Sequence, residues 1–310
     1  MTLLYFDPFC FRHETGEHPE CAKRVRCAAD HLDASGLAQL CERPSWMPAT
    51  MPQIQRVHPE SYLGHLRGQC EGEAGRIEAD TVVSAQSMEV ALLAAGAAID
   101  AVTKVTQGEQ KNGFCLMRPP GHHALVDAPM GFCLLNHAAI AAKHAIDHGG
   151  LDRVLIVDWD VHHGNGTQDI FWKDGSVGFL SMHRFPFYPG SGEASEVGEG
   201  DGLGSTVNVP IHHGTSRRLQ LDAFRHSVER FADKMRPQLV IISAGFDGHR
   251  LDPVGSLGLE SEDFIDFTKI VLGVAEVHAA GRVVSLLEGG YHPEALAESA
   301  GYHLQTLLDA

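Results

Sequence analysis

Two carboxylates and two imidazoles fall together in Asp158-Trp159-Asp160-Val161-His162-His163, where the apolar run Val154–Val157 ends. That run reads as a buried strand of a parallel sheet, and alternation along its extension sends Asp158, Asp160 and His162 to one side. Burying unpaired charge is costly, so three such groups at one strand end point to a divalent metal, and an Asp-x-His pair suits zinc. A helix N-cap with a polar strand end is the bland alternative. An EF-hand is excluded, because its loop would need Gly where His163 stands and a bidentate acid where Asp169 stands. Catalytic zinc takes three protein ligands and leaves a position for water. Asp160 and His162 supply two. Asp247, in Ser243-Ala244-Gly245-Phe246-Asp247-Gly248-His249, is the candidate third, although an Asp there also serves as an N-cap or turn residue.

Two further groups could act beside a metal. His122-His123 follows Arg118-Pro119-Pro120-Gly121, where the prolines stiffen the loop and the glycine permits close backbone approach. The pair suits metal ligation, acid–base work or a polar loop. A hydrolase needs a proton acceptor for its attacking water and a donor for its leaving amine, and imidazole is matched to both near neutral pH. Tyr291, in Glu288-Gly289-Gly290-Tyr291-His292-Pro293, could donate its hydroxyl to a developing oxyanion or pack at a helix start.

The elements that must position these groups alternate along the chain. Strands are expected at Thr2–Phe6, Phe114–Met117, Val154–Val157, Val177–Met182, Thr206–Val209, Leu239–Ser243 and Val283–Leu287. Helices are expected at Pro19–Leu37, His58–Leu66, Ser84–Val105 with Ser84 as N-cap, Leu135–His148, a short one ending at Phe171, Ser216–Met235, Ser261–Ala279 and one from Pro293. This alternation predicts an α/β fold with a mainly parallel sheet, as one domain over 1–310. Each reactive cluster follows a strand, and ligands of such sheets bind outside the carboxyl ends of the strands.

The totals narrow the class. With 310 residues, 44% hydrophobic and 21% charged, the chain is globular rather than disordered. A net charge of −16 argues against nucleic-acid partners and mildly favours cationic ones. The seven cysteines include no CxxC pair, which indicates free thiols in a reducing compartment. No signal peptide and no membrane span is read, so a cytoplasmic protein is expected; the oligomeric state is not legible.

Together the motifs RPPGHH (118–123), GFCLLN (131–136), DWDVHHGNGTQ (158–168), AGFDGH (244–249) and EGGY (288–291), with His18-Pro19-Glu20 upstream, resemble the zinc-dependent histone deacetylases and their bacterial amidohydrolase and acetylpolyamine-hydrolysing relatives. Asn165 and the LEGGY form match class II. The resemblance implies an arginase/deacetylase fold with a central, mainly parallel sheet of about eight strands. It implies zinc, with iron(II) as the other metal, on Asp160, His162 and Asp247. It places Asp158 behind His122 and Asn165 behind His123, and gives Tyr291 the acetyl carbonyl. A potassium ion is implied at Asp158, Asp160, His162, Ser181 and Met182, and a second at Phe171, Asp174, Val177 and Ser205. Substrate contacts are implied at Phe132, Tyr188, Asp80, Gly131 and Gly289.

The expected activity is removal of acetyl or other short acyl groups from acyl-lysine side chains, with an acetylpolyamine hydrolase as the alternative. Val254 stands where polyamine-preferring relatives carry an acidic residue, which leans toward acyl-lysine. A two-metal ureohydrolase fits His122-His123 and Tyr291 poorly. A silent acyl-amine binding module would be expected to lose a catalytic position, and none is lost.

Overall fold

The computed structural model describes residues 1–72 and 74–310. Its strands are β1 (Leu3–Tyr5), β2 (Gly75–Arg76), β3 (Val82–Val83), β4 (Asn112–Cys115), β5 (Val154–Asp158), β6 (Val177–Arg184), β7 (Thr206–Ile211), β8 (Leu239–Ala244) and β9 (Val283–Leu287). Its helices are α1 (Ala22–Ala34), α2 (Met51–Ile54), α3 (Glu60–Glu71), α4 (Ser87–Gln107), α5 (His137–Asp147), α6 (Asn165–Phe171), α7 (Arg217–Met235), α8 (Asp263–His278) and α9 (Pro293–Leu308).

Among the described residues seven strands pair in parallel in the order β1-β4-β9-β8-β5-β6-β7, in keeping with the central, mainly parallel sheet expected, while β2 and β3 form a separate antiparallel pair. Helices α4 and α5 cover one face; α7, α8, α9 and α1 form the layer on the other. A strand covered on both faces must be apolar along its whole length. In β5 the run Val154–Val157 is fully buried. The Ala-rich composition of α4 lets it lie close to its neighbours: a side chain at Gly96 would strike the backbone of Met47 and Ala49, and Ala49 N–H donates to the Leu92 carbonyl. Gly108, with φ +79°, ends that helix in the left-handed conformation that glycine adopts without strain.

The strand order creates the site. Beyond β5 the chain winds outward through β6 to β7; it then returns to β8 and winds the other way to β9. The reversal lies between the paired strands β5 and β8, and open parallel sheets bind ligands at such a switch point. Asp158 sits opposite Ser243 across that pair, so the loop bearing Asp160 and His162 emerges beside the loop bearing Asp247.

Local differences from the sequence expectations have local causes. Ser84 does not cap α4; that helix starts at Ser87 with Gln86 at the cap, and the Ser84 hydroxyl instead accepts the Glu14 N–H at 2.9 Å. The Pro19 helix begins only at Ala22, because the buried Glu20 is drawn into bonds with Arg24 and Arg118. Strand β6 runs to Arg184, since its last residues still pair with β7. Among the described residues no helix is long and apolar enough to cross a membrane.

Candidate active site

Asp160, His162 and Asp247 are buried, and one ligand atom from each lies within 4.8 Å of the other two. Backbone amides hold the carboxylates: Asp160 Oδ2 accepts from Gly289 N–H at 2.8 Å and Asp247 Oδ1 accepts from Val161 N–H at 2.9 Å. Asp247 Oδ2 is buried and 3.1 Å from His162 Nδ1, yet among the described residues it makes no properly directed hydrogen bond. Burial and the charge of Asp160 push the Asp247 carboxyl up to about 7. Two adjacent buried carboxylates, one with an orphaned oxygen, and an imidazole nitrogen aimed between them are a donor set that a divalent cation satisfies. The cradle also needs its glycines: a Cβ at Gly245 would collide with Asp160, and one at Gly289 with both carboxylates.

Asp158 departs from the expected three-residue grouping. Its Oδ2 accepts from His122 Nδ1–H at 2.9 Å and its Oδ1 from Asp160 N–H at 3.0 Å. The strand ends at Asp158, so the two-residue alternation does not continue through 160 and 162. His123 Nδ1–H donates to Asn165 Oδ1 at 2.7 Å. The two rings lie 4.0 Å apart, yet their environments pull their basicities in opposite directions. Burial opposes charge on His122, but the Asp160 and Asp158 carboxylates outweigh it and raise its pKa well above the ordinary value. For His123 burial dominates, His122 and His162 add to it, and its pKa falls well below.

Glu288, part of a recognised motif but given no role from sequence, lies beneath this pair. Its carboxylate accepts from Gly121 N–H at 2.6 Å and His122 N–H at 3.1 Å, and from the Ser243 hydroxyl at 3.0 Å. It therefore ties the ends of β8 and β9 to the loop bearing both histidines. Arg24 was also missed. Its guanidinium donates to the Glu288 and Gly290 carbonyls and lies 4.6 Å from the centre of the Tyr291 ring. The only sequence signal for it was an arginine four residues after Glu20 on a helix.

Tyr291 is 9% exposed, and its N–H donates to Asp252 Oδ2 at 2.6 Å. Burial pushes its phenol well above the usual range against the pull of Arg24, so the hydroxyl stays a neutral donor. It lines a cavity of ≈ 210 Å³ with Asp80, His123, Gly131, Phe132, His162, Phe187, Tyr188 and Val254. Phe132 meets Tyr291 edge-on at 5.6 Å, Tyr188 meets His123 edge-on at 5.2 Å, and Phe187 stacks on His162 at 5.3 Å. Phe187 was not singled out from sequence, because the Phe-Pro-Phe-Tyr-Pro run does not tell which aromatics turn inward. Gly131 (φ +55°) and Phe132 (φ +70°) turn the chain so that the ring enters the cavity.

The positions expected around potassium cluster as well. Asp158 pairs with Ser181 across β5 and β6, beside Met182, and the Ser181 hydroxyl lies 2.9 Å from His183 Nδ1. Phe171, Asp174, Val177 and Ser205 gather at the start of β6, where the Asp174 carboxylate is engaged by Lys143 and Ser176.

The chain matches the Histone deacetylase domain over residues 18–307. It is 36% identical to the histone deacetylase-like amidohydrolase of Pseudomonas aeruginosa, covering 94% of this chain and 81% of that one. It is 41% identical to the polyamine deacetylase HDAC10 of Homo sapiens, covering 99% of this chain but 46% of that longer protein. The solved HDA15 HD domain superposes with a TM-score of 0.94 at 37% identity, over 99% of this chain and 90% of that one. The fold is thus the arginase/deacetylase fold, and the chain belongs to the histone deacetylase family.

Proposed function

We propose that this hydrolase, acting as one deacetylase domain over 1–310, removes acetyl or other short acyl groups from the side-chain amine of acylated lysine. The observation that carries the reading is the buried Asp160–His162–Asp247 cluster beside a narrow aromatic cavity that His123 and Tyr291 also line. Asp160, His162 and Asp247 would hold zinc, or iron(II), which when bound polarises a carbonyl and acidifies water. Oxygens of Asp158, Asp160, His162, Ser181 and Met182 would hold a potassium ion. Phe171, Asp174, Val177 and Ser205 would hold a second, through main-chain carbonyls where the Asp174 side chain is already engaged.

The chain's own groups divide the work. Asn165 fixes the His123 ring with Nδ1 protonated, which leaves Nε2 as the free base. His123 takes a proton from the water as its oxygen bonds to the acyl carbon. The Tyr291 hydroxyl donates to the oxygen that gains charge. As the carbon–nitrogen bond breaks, His123 returns the proton to the leaving amine, and His122, held by Asp158, tunes that transfer through its charge. Phe132, Phe187 and Tyr188 enclose the alkyl chain, Asp80 accepts from backbone amides of a bound peptide, and Gly131 and Gly289, which let His123 and the two carboxylates pack close, offer the substrate main-chain contacts.

Acyl-lysine is the favoured substrate because valine rather than a carboxylate stands at position 254 of the cavity wall, and the one carboxylate with it in the lining, Asp80, is the group read as taking backbone amides of a bound peptide. Identity to a polyamine deacetylase favours the second reading, hydrolysis of acetylated polyamines. Comparing kcat/KM on acetyl-lysine peptides and acetylputrescine, with metal analysis of the same sample, tests both. A higher value on the peptides is expected. A large preference for acetylputrescine would establish the second reading, and no turnover of either by metal-loaded protein would refute both.

A further inference from the structure

Residues 185–205, between β6 and β7, carry the cavity walls Phe187 and Tyr188 without a strand or long helix to hold them. Side chains supply the hold. Gly192, at φ +94°, is pressed so closely against His183 and His163 that a Cβ would strike both rings. His183 Nε2–H donates to the Gly192 carbonyl at 2.9 Å, and His163 Nδ1 lies 2.8 Å from the Ser191 hydroxyl. Glu196 closes this clamp. Its Oε1 accepts the N–H groups of Gly192 and Glu193, each at 3.0 Å, and its Oε2 accepts Gln168 Nε2–H at 2.6 Å.

Gln168 belongs to α6, the short helix whose first residue, Asn165, orients His123. Its own carbonyl accepts from Asn208 Nδ2–H at 2.7 Å and faces His163 Nε2 at 3.1 Å. The amide therefore cannot turn over without losing both contacts, so it offers Glu196 a donor in a fixed place. A carboxylate that accepts from three donors on two elements is a strong, directional link.

We propose that Glu196 is a positioning residue for the tunnel: through Gln168 it sets the wall bearing Phe187 and Tyr188 against the helix that orients His123. This rests on reading the ≈ 210 Å³ cavity as the tunnel for an acylated alkyl amine.

Replacing the carboxylate tests the link. In Glu196→Gln the remaining oxygen still accepts from Gly192 and Glu193, but the new amide nitrogen faces Gln168 Nε2, donor against donor. Adding Gln168→Glu reverses donor and acceptor, and the new carboxylate can still accept from Asn208 and His163. The probes are acetohydroxamate, which offers the wall a single methyl, and a hydroxamate on a six-carbon chain long enough to run along it, both titrated calorimetrically into metal-loaded enzyme. Glu196→Gln is expected to weaken the long probe by roughly fivefold or more and the short one by less than about twofold, with faster amide exchange at 186–193. The double variant is expected to restore both affinities and the exchange rates. An unchanged long-to-short ratio in the single variant, parallel loss of both probes, or no recovery in the double variant would each overturn the proposal. If the native enzyme binds both probes equally well, the tunnel reading itself fails, and this inference with it.

Discussion

At the scale of single residues, the two histidines show how neighbours assign roles to identical side chains. His122 faces two carboxylates and His123 faces a neutral amide, so adjacent imidazoles in one turn are driven to opposite protonation preferences. Tyr291 is a cleaner test of chemistry, because burial keeps its hydroxyl protonated at any working pH. Tyr291→Phe preserves the ring against Arg24 and Phe132 and removes only the donor. Its kcat should fall by ~100-fold or more with KM little changed, as for other oxyanion donors, and a variant turning over at the native rate would remove Tyr291 from the mechanism. These residues were legible in the sequence because each sits in a short motif whose spacing is local. Arg24 and Glu288 were not, since most of their partners are main-chain groups of distant loops that no motif reports.

At the scale of elements, the loops after β5, β8 and β9 meet only because glycine stands where they touch. Gly289 donates its N–H to Asp160 Oδ2, and any side chain there would drive into both Asp160 and Asp247. Gly289→Ala should lower metal affinity by about 10–100-fold while far-UV circular dichroism stays native, which a competition titration against a chelating dye would measure. Retention of native affinity would mean the carboxylates have slack that the packing denies. The sequence reading placed the long elements, because a 3.6-residue stripe or a continuous apolar run is written in adjacent residues. It missed the β2–β3 pair and placed the start of α4 three residues early, where distant hydrogen bonds, such as Ser84 with Glu14, outweigh local capping preference.

At the scale of the whole molecule, the fold buries imidazoles outside the Asp160–His162–Asp247 cluster, and this sets its response to acid. His58 bonds the Val126 carbonyl and the Asn136 N–H, His137 faces the Pro119 carbonyl, and His303 lies between the Thr268 and Ser285 hydroxyls. Burial lowers these histidines to about 4, about 4 and about 3. Their folded pKa values lie below the unfolded value of about 6.5, so the unfolded chain binds more protons in that window. Stability is complete above about 6.5 and is lost as pH falls toward 4, by up to about 1.4 kcal/mol per pH unit for each histidine. Glu20 extends the loss below that range, because Arg118 and Arg24 hold it well below the usual carboxylate value despite burial. Urea unfolding at pH 8, 7, 6 and 5, run in parallel on metal-depleted and metal-supplemented protein, should show this slope in both, and a flat profile would refute it. The long strands and helices and the side chains at each strand's end are written in the sequence, because burial pattern and loop chemistry are short-range properties. Only the tertiary structure decided that β8 lies beside β5, because strand pairing is a contact between segments some eighty residues apart. That pairing brings Asp247 to Asp160 and His162, and it leaves Asp158 to hold His122.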